Sequence, residues 1–156
     1  MELTTAEIII RLLIALLLGT AIGTERVIAG KTAGMRTYAL VSMGAALFVV
    51  VSLVVGQNLS FSAGFDPLRM ASQIIVGIGF LGAGMIVLHG NQVVGLTTAS
   101  GIWVAAGIGM ASGFGLYLPA LIATILTLLT LSGLWFLEHR LKKIRGGGEP
   151  EEGSQM

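Results

Sequence analysis

From Met70 to Leu137 the chain runs 68 residues without an Asp, Glu, Lys or Arg; the flanking charges are Asp66, Arg69, Glu138 and Arg140. Within that stretch the polar patch His89-Gly90-Asn91-Gln92 breaks the apolar run. Hydrocarbon cannot solvate ions, and a spanning helix needs about 20 mostly apolar residues. The pattern therefore predicts several membrane spans. A first helix is expected to start near Thr5, because Thr4 and Glu7 have the spacing of a capping box. Residues 5–24 would cover about 30 Å at about 1.5 Å per residue, with Glu25-Arg26 ending the span. The connector from Arg26 to Thr37 holds Lys31, Arg36, Gly30 and Gly34, which suits water or headgroups. A second helix is expected over 37–56, followed by a Ser/Gly/Asn-rich loop over 57–65.

Asp66-Pro67 signals the next start: Asp accepts orphan N–H bonds at an N-cap, and Pro fits the first helical position. A third helix would run over 67–88 with Arg69 in its first turn, and 89–92 would form the following turn. A fourth ends at Gly113 and begins either with Thr97 as its cap or earlier, at Val93. After Gly113-Phe114-Gly115, Pro119 falls in the first turn of a fifth helix ending near Glu138. The expected fold class is thus all-α, a polytopic membrane protein with five transmembrane helices over 1–140. A basic-then-acidic tail over 141–156 is too Gly/Glu/Pro-rich to bury a core. Were the third and fourth helices a re-entrant hairpin, three full spans would leave both chain ends on the same sides.

Cations orient the spans. Arg26, Lys31, Arg36, Arg140, Lys142, Lys143 and Arg145 fall on one side, and Arg69 and Arg11 on the other. The positive-inside rule places the N-terminus outside and the C-terminus in the cytoplasm. The first apolar run lacks the basic start of a secretory signal, since Glu2 and Glu7 precede Arg11. It is read as a retained span.

Composition agrees with this solvent. Charged residues make up 11%, against about 25% in a soluble domain, and the mean hydropathy is +0.91. Cysteine is absent, which excludes disulfides, thiolate metal sites and Cys nucleophiles. No nucleophile–base constellation appears, and His89 and His139 stand alone, so no enzyme activity, cofactor or nucleic-acid partner is expected. Gly77-Ile78-Gly79-Phe80-Leu81-Gly82 matches the dinucleotide fingerprint, but it lies inside an apolar helix instead of following a strand. Gly30-Lys31-Thr32 resembles the end of a phosphate-binding loop, but Glu25 occupies the position of its first Gly and would repel phosphate.

Glycine, 23 of 156 residues, points instead to helix packing. Gly19 and Gly23, and Gly109 and Gly113, are small-x-x-x-small pairs that let backbones approach in lipid. Gly77, Gly79, Gly82 and Gly84 strip the third helix of bulk, and Gly107-Ile108-Gly109 echoes Gly77-Ile78-Gly79. These glycines either pack helices and a homo-oligomer or line a pathway with backbone carbonyls. Among polar residues, Glu7 and Arg11 have the favourable order for an i, i+4 pair, and Arg11 is expected to snorkel to the headgroups. Glu25 sits with Arg26 at the inner end of the first helix, and Arg26, Lys31 and Arg36 set topology and touch lipid phosphates, or bind a metabolite anion or a partner. Asp66 is an N-cap. Asn91 sits in the polar patch, and Thr97, Thr98, Ser100 and Trp103 crowd the start of the fourth helix, as caps or as the lining of a polar cavity. Thr124, Thr127 and Thr130 can bond their own backbone. Magnesium is typically held by one or two carboxylates, and none falls near the midplane. Mg²⁺ is therefore not demanded by these residues.

Gly-Thr-Ala-Ile-Gly-Thr-Glu-Arg at 19–26, followed by Gly30-Lys31, Ala33-Gly34-Met35-Arg36-Thr37 and Gly44-Ala45-Ala46, resembles the first signature of the MgtC/SapB family. Asp66-Pro67 through Gly77 to Gly84 resembles the second. Gly95-Leu96-Thr97-Thr98-Ala99, with Trp103 and Ala106-Gly107-Ile108-Gly109, resembles the third. The likeness covers about residues 8–138. It implies a bacterial inner-membrane protein linked to magnesium homeostasis and, in some pathogens, to survival inside host cells. Ion or small-solute transport is one expected role, and docking on another membrane complex such as the ATP synthase is the other. Longer members append a soluble domain where this chain has a short polar tail. Where some relatives read Gly-Leu-Asn, this chain has Gly95-Leu96-Thr97.

Overall fold

The computed structural model of the protein describes residues 3–58, 66–134, 136 and 140. Of the expected loop over 57–65, residues 59–65 lie outside them, as do the expected end of the fifth helix at Glu138 and the tail over 141–156. Helix α1, Thr5–Ile28, starts as its capping box predicts: Glu7 N donates to Thr4 Oγ1 at 3.3 Å and Thr4 N donates to the Glu7 carboxylate at 2.8 Å. It does not stop at Glu25. Nothing in Glu25-Arg26-Val27-Ile28 breaks a helix, and a cation suits the last turn. The chain turns only at Gly30, where φ is +67°. Helix α2, Met35–Asn58, likewise begins before and ends after its expected bounds. Helix α3, Pro67–Met85, opens with Leu68 N donating to the Asp66 carboxylate at 2.9 Å.

The end of α3 departs from an all-α reading. Ile86 turns extended, and strands β1, Val87–His89, and β2, Gln92–Val94, form an antiparallel hairpin. Val87 pairs with Val94, Leu88 with Val93 and His89 with Gln92. β-Branched residues suit strands, and the two-residue Gly90-Asn91 turn, with Gly90 at φ +60°, suits a tight hairpin. The expected turn at 89–92 is therefore right, and its flanks are strands, not helix. Helix α4, Leu96–Gly113, begins neither at Val93 nor under a Thr97 cap: Gly95 at φ +94° is its N-cap, without a side-chain bond. Helix α5, Tyr117–Leu128, has Pro119 in its first turn and continues as a π-helical segment, Leu129–Gly133.

Helices α1 and α2 are antiparallel: Leu3 N donates to the Gln57 amide at one end, and Gly23 meets Met35 at the other. Helix α4 lies against α1, α2, α3 and α5, and ten of its eighteen residues are buried. It is the bundle's core. Two apolar clusters hold it there, one built on Ile22, Tyr38, Ile102 and Ile108, the other on Ala45, Val49, Ile74 and Ala106. Outward the bundle presents Leu17, Leu40, Val76, Phe80 and Leu118, all more than 60% exposed. An apolar exterior of that kind suits lipid. Three helices, α1, α2 and α3, are long and apolar enough to cross a membrane, and Tyr117–Gly133 is a shorter apolar helix. The protein is a membrane protein, mainly helical.

Candidate functional site

The last turn of α1 carries Arg26 into the bundle, where it is only 2% exposed. Its Nε and Nη2 both donate to Oε2 of Glu25, and Ser132 Oγ, from the π-helical segment of α5, approaches Oε1 of Glu25 at 3.5 Å. A buried cation is tolerated only when paired, and the neighbouring carboxylate supplies that charge. The π-helical geometry, which is often found at functional sites, coincides with the point where α5 reaches the pair. Tyr38, fully buried, donates its hydroxyl to the Thr98 carbonyl at 3.3 Å and so ties α2 to the start of α4. Gly101 makes room for it: a Cβ there would stand 2.5 Å from the phenolic oxygen.

The predicted residues divide between the two ends. Glu25 and Arg26 pair at this end, Thr98 is joined to it through Tyr38, and Lys31 and Arg36 are exposed. Asn91 and Thr97, also exposed, lie at the same end of α3 and α4, because Gly95 abuts the carbonyl of Met85. Asp66 and Arg69 sit at the opposite end of α3, apart from Glu25. Arg140 lies over the Phe136 ring at 5.2 Å. Thr97, Thr98, Ser100 and Trp103 do not line a shared polar cavity. Ser100 donates to the Leu96 carbonyl at 2.9 Å, Thr98 is buried, and Trp103 borders an apolar groove of about 300 Å³ with Ile75, Gly107 and Pro119. Thr124, Thr127 and Thr130 bond carbonyls four residues back, as expected.

Arg11 departs from expectation. It neither pairs with Glu7 nor snorkels free; its Nη1 donates to the Gly113 carbonyl at 2.7 Å, at the C-terminus of α4. The glycines also separate into two groups. A Cβ on Gly19, Gly23, Gly109 or Gly113 would fall within 2.8 Å of α2 or its leading residues, so these four pack helices within the chain. Gly82 makes ordinary contact with Ala99, whereas Gly77, Gly79, Gly84 and Gly107 have nothing within 4 Å of that position.

Sequence reasoning missed Tyr38, Ser42 and Ser132. Ser42 donates to the Ala15 carbonyl at 2.7 Å, stitching α1 to α2. The available signal was periodicity, since Tyr38, Ser42, Ala45 and Val49 recur at helical spacing on one face. Among the described residues no group of three His, Cys, Asp or Glu side chains could hold a metal ion. Chemically, the basic end offers, among the described residues, the partly exposed Glu25 carboxylate flanked by the Ser132 hydroxyl and the Arg26 guanidinium.

Comparison with known proteins adds the lineage. A family model described as the MgtC family matches residues 12–140. The chain is 47% identical over 139 residues to the "Putative magnesium transporter YhiD" of Escherichia coli K12, covering 88% of this chain and 65% of YhiD. It is 45% identical over 137 residues to protein SrpB of Synechococcus elongatus, covering 83% of this chain and 75% of SrpB. With protein MgtC of Salmonella typhimurium LT2 it shares 47% identity over 120 residues, 77% of this chain and 49% of MgtC. The chain thus spans just under two thirds of YhiD and about half of MgtC. No solved structure matches it. With the family's matched region running from within α1 through all five helices and beyond the π-helical segment of α5, this chain belongs to the MgtC family.

Proposed function

We propose that the protein is a multi-pass protein of the bacterial inner membrane that serves magnesium homeostasis by moving an ion or small solute. All five helices cross in this reading, with the N-terminus outside and the Glu25 end in the cytoplasm. The alternation of the packed helices and the gathering of Arg26, Lys31 and Arg36 at one end support that orientation. The observation that carries the magnesium link is the 47% identity to YhiD over 88% of this chain. Glu25 is the best-placed group to meet a cation at the cytoplasmic mouth, because its carboxylate is partly open and Ser132 adds a second oxygen.

Flux into liposomes tests the reading. Purified protein is expected to carry Mg²⁺ or a counter-solute, and the double variant Glu25→Gln/Arg26→Met is expected to abolish it. That pair removes the carboxylate without leaving a bare buried cation. No flux from folded wild-type protein would defeat transport and leave docking on another membrane complex as the surviving role.

A further inference from the structure

Beside α3 runs an apolar groove of about 610 Å³, walled by Leu40 and Phe48 of α2 and by Met70, Gln73, Gly77 and Leu81 of α3. Gln73 is out of place there. It lies six residues beyond Pro67, about 9 Å along the helix axis, and its side chain is exposed on a surface that is otherwise apolar. Among the described residues its amide has no hydrogen-bond partner. Ser72 beside it is occupied, donating to the Arg69 carbonyl at 2.8 Å. In lipid, exposure is not hydration. An amide facing hydrocarbon is costly unless another polar group meets it, and acyl chains offer none.

We propose that this groove receives α3 of a second copy of the chain about a two-fold axis, with the two Gln73 amides bonded to each other. A carboxamide carries both donors and an acceptor, so it is complementary to itself, as an isologous interface requires. Gly77 and Gly84 follow on the same face at helical spacing, and a Cβ added at either would meet no other part of the chain within 4 Å among the described residues. They permit the close backbone approach that helix association in lipid uses. An acyl chain could fill the groove but would offer the amide no hydrogen-bond partner. The inference rests on α3 lying in the bilayer and not on transport.

The chain has no cysteine, so a single introduced one reports cleanly. Full-length protein in mild detergent is expected to be dimeric, and Gln73→Leu is expected to weaken the dimer by about 3- to 30-fold, the range of interhelical polar bonds in membranes. Gln73→Asn should retain most of the affinity. In native membranes Gln73→Cys should cross-link to a dimer on mild oxidation, whereas Leu17→Cys, on a lipid-facing part of α1, should not. A monomeric wild-type mass, a dimer indifferent to Gln73→Leu, or equal cross-linking at both cysteines would each overturn the proposal. Flux, measured separately, bears on neither result.

Discussion

The guanidinium of Arg11 holds the end of α4: its Nη1 donates to the Gly113 carbonyl at 2.7 Å, from 102 positions away in sequence. The last carbonyls of a helix have no partner within it and carry partial negative charge. In a bilayer such a carbonyl must find a donor, and Arg11 provides one with opposite charge. Gly115, at φ +80°, wraps the following turn over the same guanidinium.

Arg11→Leu is therefore expected to destabilise the bundle by about 1–3 kcal/mol, the usual loss for a hydrogen bond to a charged group. Thermal unfolding in detergent measures it, with Arg11→Lys falling between the two. An unchanged melting temperature for Arg11→Leu would show that the cation merely snorkels.

Glycine substitutions should split by position. At Gly109 a Cβ would come 2.0 Å from the Ser42 carbonyl, so Gly109→Ala is expected to cost about 1–3 kcal/mol, as overpacking does. At Gly79 nothing lies within 4 Å, and Gly79→Ala should be neutral or stabilise by up to about 1 kcal/mol through helix propensity. The same unfolding assay distinguishes them, and equal effects would contradict the helix contacts.

Tyr38 and Gly101 should be coupled. Tyr38→Phe removes the bond to Thr98 and is expected to cost about 1 kcal/mol. Gly101→Ala costs more in the wild type, because the new methyl meets the hydroxyl. With Tyr38→Phe already in place that clash is eased, so the double mutant should be less destabilised than the sum of the singles. Strict additivity in the cycle would argue against the contact.

Glu25→Gln alone strips Arg26 of its counter-charge. Losing one partner of a buried pair costs about 3–5 kcal/mol when fully desolvated. Glu25 is partly open, so the lower end is expected. Adding Arg26→Met should restore most of the folded yield, as read by detergent size exclusion; failure to do so would mean that Arg26 matters for more than its charge.

The sequence was most readable where a local rule acts alone. Thr4 with Glu7, and Asp66 with Pro67, announced two helix starts that appear where expected, since capping depends only on neighbouring residues. The hairpin was hidden because Ile86-Val87-Leu88 and Val93-Val94 are apolar runs without a period, which fit helix or strand equally. Long-range contacts were hidden for another reason. Arg11 looked like a lipid-facing cation until α4 ended beside it, and Gly77 and Gly109 look alike in sequence although one faces open space and the other a backbone. Family membership was readable because it resides in ordered motifs. That Thr98 is buried while Trp103 is exposed required the packed bundle.

Accessibility of single cysteines to a membrane-impermeant maleimide in intact cells is the sharpest test of the proposed orientation, with the basic end in the cytoplasm. Asp66→Cys should label from outside, while Lys31→Cys and Asn91→Cys should label only once the membrane is opened. Labelling of Asn91→Cys and Asp66→Cys from the same side would mean that α3 does not cross.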